Sequence, residues 1–119
     1  MTALKTKITT PHLEATRDFY VSGFGMAVLE EWDEDGDRGV ILELVDGSRE
    51  ALLEIHHGRR AGDLSGLSLQ FKVDDIERFV SSISPELQFR GPVQRPWGSS
   101  YLYLTDPNGI SVIVYEGGW

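Results

Sequence analysis

The sequence contains no cysteine. Disulfides, thiolate nucleophiles and cysteine-based metal sites are therefore excluded. Basic residues are scarce, 11 against 19 acidic ones, giving a net charge of −8. That balance argues against a nucleic-acid partner, which would call for a basic face to meet phosphates. It permits a cationic ligand, although acidity is also an ordinary route to solubility. Long apolar runs are missing too. No window approaches a membrane span, and "MTALKTKITT" lacks the apolar core of a secretory signal. A soluble, cytoplasmic protein without membrane contact is the expectation. The Gly-x-Ser-x-Gly elbow, phosphate-cradling glycine loops and a Ser–His–Asp arrangement around Ser68 or Ser111 are also absent.

What is present is a repeat. The 119 residues suit one domain able to build a core without staples. Within it, "LELVDGSREALLEIHHGRR" and "LYLTDPNGISVIVYEGG" superimpose without gaps about 60 residues apart. Asp46 falls on Asp106, and Leu42 and Leu44 fall on Leu102 and Leu104. Asp106, Pro107, Asn108 and Gly109 fill the four places of a type I turn in order, which makes Asp106 a hairpin pivot rather than a catalytic carboxylate. Upstream, "KTKITTPHLEATRDFYVSGFG" reads as strand, helix and stop, with Thr10 as N-cap, Pro11 in the first helical position and Gly23 ending the helix. "LSLQFKVDDIERFVSSIS" repeats the order, with Asp74 as N-cap, Glu77 three residues on, and Ile76, Phe79, Val80 and Ile83 as the apolar stripe. Each half reads β-α-β-β-β. Module one spans about 1–60 and module two about 61–119, with a polar hinge near 57–66.

Period-2 alternation sorts the strand residues between two faces. Leu4, Ile8, Leu42, Leu44, Leu53, Ile55, Leu69, Phe71, Leu102, Leu104, Val112 and Val114 are uniformly apolar and belong under the helices. The opposite face collects Lys5, Lys7, Glu43, Glu54, His56, Ser68, Gln70, Tyr101, Tyr103, Ser111, Ile113 and Tyr115. A merely solvated face would hold more Lys, Glu and Thr and less tyrosine. Aromatic walls with a few polar groups are how small-molecule sites are built. Trp32 and Trp97 stand near the ends of these strands, where flat side chains can stack on planar ligands; for Trp97 the alternative is core packing or a dimer contact. "EEWDEDGD" reads as an acidic hairpin loop turning at Asp35-Gly36.

The paired βαβββ modules, "RDFYVSGFGMAVLEEW", and "PWG" followed by "DPNGISVIVYE" resemble the vicinal oxygen chelate superfamily. That group holds glyoxalase I, the extradiol dioxygenases, and bleomycin-resistance and related drug-binding proteins. The resemblance covers nearly the whole chain. It implies an α+β fold of two curled mixed sheets sharing a cavity, helices on the convex face, and a homodimer. Enzymes of the group hold a divalent ion with His, Glu or Gln on the first and fourth strands of each module. Those positions fall on Lys5, Glu54, Ser68 and Ile113. Only Glu54 could bind a cation, because an ammonium has no lone pair and Ile113 has no donor atom. A two-residue slip would bring in Lys7 or Gln70 but no histidine.

His56 and His57 are consecutive and point to opposite faces, so His56 alone could join Glu54. No metal and no cofactor are therefore called for. Instead, Lys5 is expected to stand in the space of the missing metal and pair with Glu54, since a buried carboxylate needs a partner. Two functions remain open. One is metal-free sequestration of an aromatic or antibiotic-like ligand, closest to the drug-binding branch. The other is an enzyme, either metal-dependent with displaced ligands or using Glu54, His56 or Tyr103 as acid or base.

Overall fold

The computed structural model describes residues 3–43, 49–59 and 62–118. The chain forms two compact units, Met1–Gly62 and Asp63–Trp119. In the first, β1 (Leu4–Thr10) leads through α1 (Leu13–Asp18) and a π-helical turn (Phe19–Gly23) to β2 (Ala27–Glu34), β3 (Asp37–Glu43) and β4 (Ala51–His57). In the second, β5 (Ser68–Lys72) leads through α2 (Ile76–Ser82) to β6 (Arg90–Gln94), β7 (Ser100–Thr105) and β8 (Ser111–Glu116). The sheets are ordered β1-β4-β3-β2 and β5-β8-β7-β6. In each, the first strand pairs in parallel with the last and the other pairings are antiparallel. The α+β, twice-βαβββ architecture read from the sequence is the one observed.

Local chemistry sets the turns. Asp35 and Gly36 both have positive φ, +52° and +84°, as a two-residue type I′ hairpin requires between β2 and β3. At the other repeat, the Asp106 carboxylate accepts from Asn108 N at 2.7 Å and Ile110 N at 3.0 Å. Gly109 N closes the turn on Asp106 O at 3.1 Å. Asp106 is a buried pivot, as its sequence context indicates. Its first-half counterpart Asp46, and Leu44, lie outside the described residues.

Two helix starts differ from expectation. α1 begins at Leu13 with His12 as N-cap, so Thr10 does not cap it and Pro11 precedes it. Strand pairing competes for Thr10: it sits opposite His57, and its carbonyl accepts from Gly58 N at 3.0 Å. The Thr10 hydroxyl instead accepts from His12 N. α2 is capped by Asp75, not Asp74, through Arg78 N at 3.1 Å. That shift puts Arg78, not Glu77, at the capping-box position. Ile76 N instead donates to Glu116 Oε1 across from β8 at 2.7 Å.

The apolar face is buried at Ile8, Val40, Leu42, Leu53 and Ile55 in the first unit, and at Leu102, Leu104, Val112 and Val114 in the second. Each such side chain contributes about 1.5–3 kcal/mol. Helices lie on this side. Arg38 beside Val40 reaches Glu14 of α1, and Glu116 beside Val114 reaches α2. Three assignments to this face need correction. Leu4 is 69% exposed, because it opens the edge strand β1 at the end of the sheet. Leu69 and Phe71 are only half-buried, on the edge strand β5.

Candidate functional site

The face opposite the helices carries the expected side chains in both units. In the first, registers through β1, β4, β3 and β2 align Lys7 with Glu54 and Ile41, and Thr9 with His56, Gly39 and Trp32. Lys5 and Glu43 lie one step further along, both beside Leu52. Lys5 Nζ sits 2.8 Å from Glu54 Oε1, and Lys7 Nζ sits 3.9 Å from Oε2. The Glu54 side chain is 11% exposed while that of Lys5 is 47% exposed. The expected ion pair is present, and Lys7 approaches the second oxygen. Glu43 turns to Arg49 at 3.3 Å.

The ion pair carries an expected outcome. Lys5→Met leaves a buried carboxylate facing one distant ammonium, and it is expected to lower stability by about 0.5–1 kcal/mol, the small value reflecting the exposed lysine. Combining it with Glu54→Met should recover most of that loss, because no uncompensated charge remains. Urea melts of the single and double variants check the pair.

Next to it lies a second polar cluster. Trp32 rests over Gly39, where an added Cβ would fall 2.3 Å from the indole, so only glycine admits the ring. Trp32 Nε1 donates to Asp37 Oδ1 at 3.0 Å, and His56 Nε2 lies 2.7 Å from the same oxygen. The indole and imidazole stack at 6.4 Å. Asp37 was legible only as one carboxylate of an acidic loop. Its contacts with Trp32 and then His56 hold its carboxyl below the ordinary aspartate value of 3.8. A depressed folded-state pKa stabilises above the ordinary value, and that contribution disappears as pH falls through the lowered one. Asp37→Asn should therefore differ most from the parent near neutrality and converge with it in strong acid. Melting temperatures across pH 2–7 (about that range) measure this convergence.

The second unit's face is aromatic. Registers align Ser68 with Ser111, Gln70 with Ile113 and Tyr103, and Tyr115 with Tyr101. Tyr101 and Tyr115 stack at 5.5 Å, and Tyr101 tilts against Tyr103 at 6.2 Å. Trp97, in the turn between β6 and β7, meets Tyr101 edge-on at 6.2 Å and is 62% exposed, so it is not core packing. Two residues absent from the sequence reading join them. Arg90 pairs across the strands with Tyr103 and lies 4.2 Å above its ring. Arg95 donates to the Tyr103 hydroxyl and lies 5.9 Å from the Tyr101 ring.

The four positions where the resemblance implies metal ligands do not fit a divalent ion. Glu54 is engaged by lysines, Lys5 offers no lone pair, Ser68 is a weak neutral donor and Ile113 has none. Among the described residues, no three His, Cys, Asp or Glu side chains come together as a metal-binding group. None of the described helices is long and apolar enough to cross a membrane.

The family model of the Glyoxalase/Bleomycin resistance protein/Dioxygenase superfamily matches residues 3–114. Solved structures share the fold at low identity. TnmS3, an antibiotic binding protein from Streptomyces sp. CB03234, superimposes with a TM-score of 0.75 at 16% identity, covering 99% of this chain and 97% of that one. A lactoylglutathione lyase from Agrobacterium tumefaciens gives 0.71 at 21% identity, covering 98% and 93%. A glyoxalase/bleomycin resistance protein from Catenulispora acidiphila DSM 44928 gives 0.75 at 18%, covering 99% and 100%. No curated protein matches significantly in sequence.

Proposed function

The chain belongs to the Glyoxalase/Bleomycin resistance protein/Dioxygenase superfamily, and from that premise we propose that it binds an aromatic, antibiotic-like small molecule without metal and without transforming it. The observation that carries this reading is the Lys5–Glu54 contact of 2.8 Å. It spends the one carboxylate of the implied ligand set on a lysine. The stacked tyrosines and exposed Trp97 of the second unit supply π-faces for a planar molecule, each ring pair worth about 0.5–1.5 kcal/mol beyond area burial. The likeness to an antibiotic binding protein is in keeping with this function.

A second reading draws on His56, whose imidazole is held by Asp37 in the manner of an oriented acid–base group. The likeness to a lyase gives it a precedent in the fold.

Tryptophan fluorescence separates the two. Titration with bleomycin and other planar antibiotics should quench emission saturably, with the quench reduced in Trp97→Phe and the ligand recovered intact. Failure of every compound to bind overturns the binding reading. Consumption of a ligand, lost in His56→Gln, selects the catalytic one.

A further inference from the structure

We propose that the ligand bears an anionic group, held by the guanidinium groups of Arg95 and Arg90 while its aromatic plane lies against Tyr101 and Trp97. This rests on the binding function above and names the chemistry of its ligand. The opposite would be expected from a net charge of −8, which by itself favours cations.

The local arrangement reverses that expectation. Arg17, Arg38 and Arg49 each meet a carboxylate, Glu31, Glu14 and Glu43 respectively. Arg90 and Arg95, like Arg59 and Arg78, do not: among the described residues, none of the ion pairs within 4.0 Å includes them, and only Arg90 and Arg95 of these four lie against the tyrosines. Both turn toward tyrosines instead. Arg95 is half-buried, with one N–H donated to the neutral Tyr103 hydroxyl. A guanidinium has five donors in a fixed fork, so most remain for another partner. Ring faces attract the cation but carry no countercharge.

Arg90 is aimed by its strand. The β6–β7 register shifts between Arg90 and Val93, and such an irregularity redirects side chains. Arg90 thereby stands over the same ring, Tyr103, that Arg95 approaches at 5.5 Å. Two guanidinium groups beside one phenol make the local potential positive, and an oxyanion within their reach is stabilised by it. A carboxylate takes an arginine fork through two parallel hydrogen bonds. Beside the charge lies the flat surface of Tyr101, stacked on Tyr115 and edged by Trp97. Charge and plane together select an aromatic oxyanion, with aromatic carboxylates the best match.

The test compares 2-naphthoate with its neutral isostere 2-naphthamide by isothermal titration calorimetry. The acid should bind about tenfold or more tightly than the amide, as charge-assisted hydrogen bonds do relative to neutral ones. Added salt should narrow the gap, because the site is partly exposed. Arg95→Gln should remove most of the preference, weakening the acid far more than the amide, and Arg90→Gln should remove part of it. Arg95→Lys, which keeps the charge but not the fork, should fall between. Thermal melts confirm that each variant is folded. Equal binding of the two probes, or a preference that survives both arginine substitutions, overturns the anionic assignment and leaves aromatic binding standing. If neither probe binds, both assignments fall.

Discussion

Tyr20→Ala is expected to cost about 3–5 kcal/mol, the range for removing a large aromatic side chain from a core. Tyr20 is wholly buried, at 0% exposure, in the π-helical turn that ends the first helix. Its ring meets Phe19 at 4.9 Å and Phe24 at 5.9 Å, both edge-on. The turn exists because Phe24 N donates to Phe19 O, five residues back, which widens the helix by one residue and swings the rings inward. Removing the ring leaves a cavity beside Phe19 and Phe24, themselves buried, that the surrounding turn has little freedom to close. Against a total stability of about 5–15 kcal/mol, such a loss is a large fraction of the whole. Chemical denaturation of Tyr20→Ala and Tyr20→Phe measures it, and the phenylalanine variant should retain most of the stability. A loss below about 1 kcal/mol in the alanine variant would contradict the packing described.

Asp106→Ala is expected to cost about 2–4 kcal/mol, because it leaves two buried backbone donors without their acceptor and each is worth about 1–3 kcal/mol unsatisfied. Asp106 is 4% exposed and Asn108 3% exposed, so water reaches neither end of the turn freely. One carboxylate oxygen serves both Asn108 N and Ile110 N. Asp106→Asn keeps an oxygen in that place and should recover more than half of the loss. Hydrogen exchange at the Asn108 and Ile110 amides gives the direct readout: fast in the alanine variant, slow in the asparagine variant. Slow exchange in both would show that the carboxylate does not hold the hairpin.

These two positions also mark what the sequence discloses. "DPNG" is local, and its turn type follows from a few adjacent residues, whereas the glycine stop in "RDFYVSGFG" is misplaced by two residues: Gly23 lies inside the π-helical turn, and the left-handed glycine past its end is Gly25, with φ +86°. The division into two faces followed from period-2 alternation, and the buried Leu42, Ile55, Leu102, Val112 and Val114 bear it out. Where distant pairing competes with local preference, local rules lose. Thr10 is claimed by the strand, so the first helix starts later than its proline indicates. Arg90 escaped notice because β6 is short and its interrupted register erases the alternation that would have placed it beside Tyr103, and Arg95 because it lies one residue past that strand. Asp37 escaped for another reason. Its value as an acceptor depends on Trp32 lying flat over Gly39, a cross-strand contact that no spacing reveals.

At the four positions where the resemblance implies metal ligands stand Lys5, Glu54, Ser68 and Ile113. The ion pair of Lys5 with Glu54 keeps a positive charge near that glutamate without any Lewis acidity.

Native mass spectrometry in the presence of a planar antibiotic panel and excess zinc and manganese tests metal-free binding most directly. The expected result is one intact ligand held per binding site, with its mass unchanged, and retained equally after chelation and in Glu54→Ala. Stoichiometric retention of a divalent ion that is lost in Glu54→Ala, together with a changed ligand mass, would contradict it.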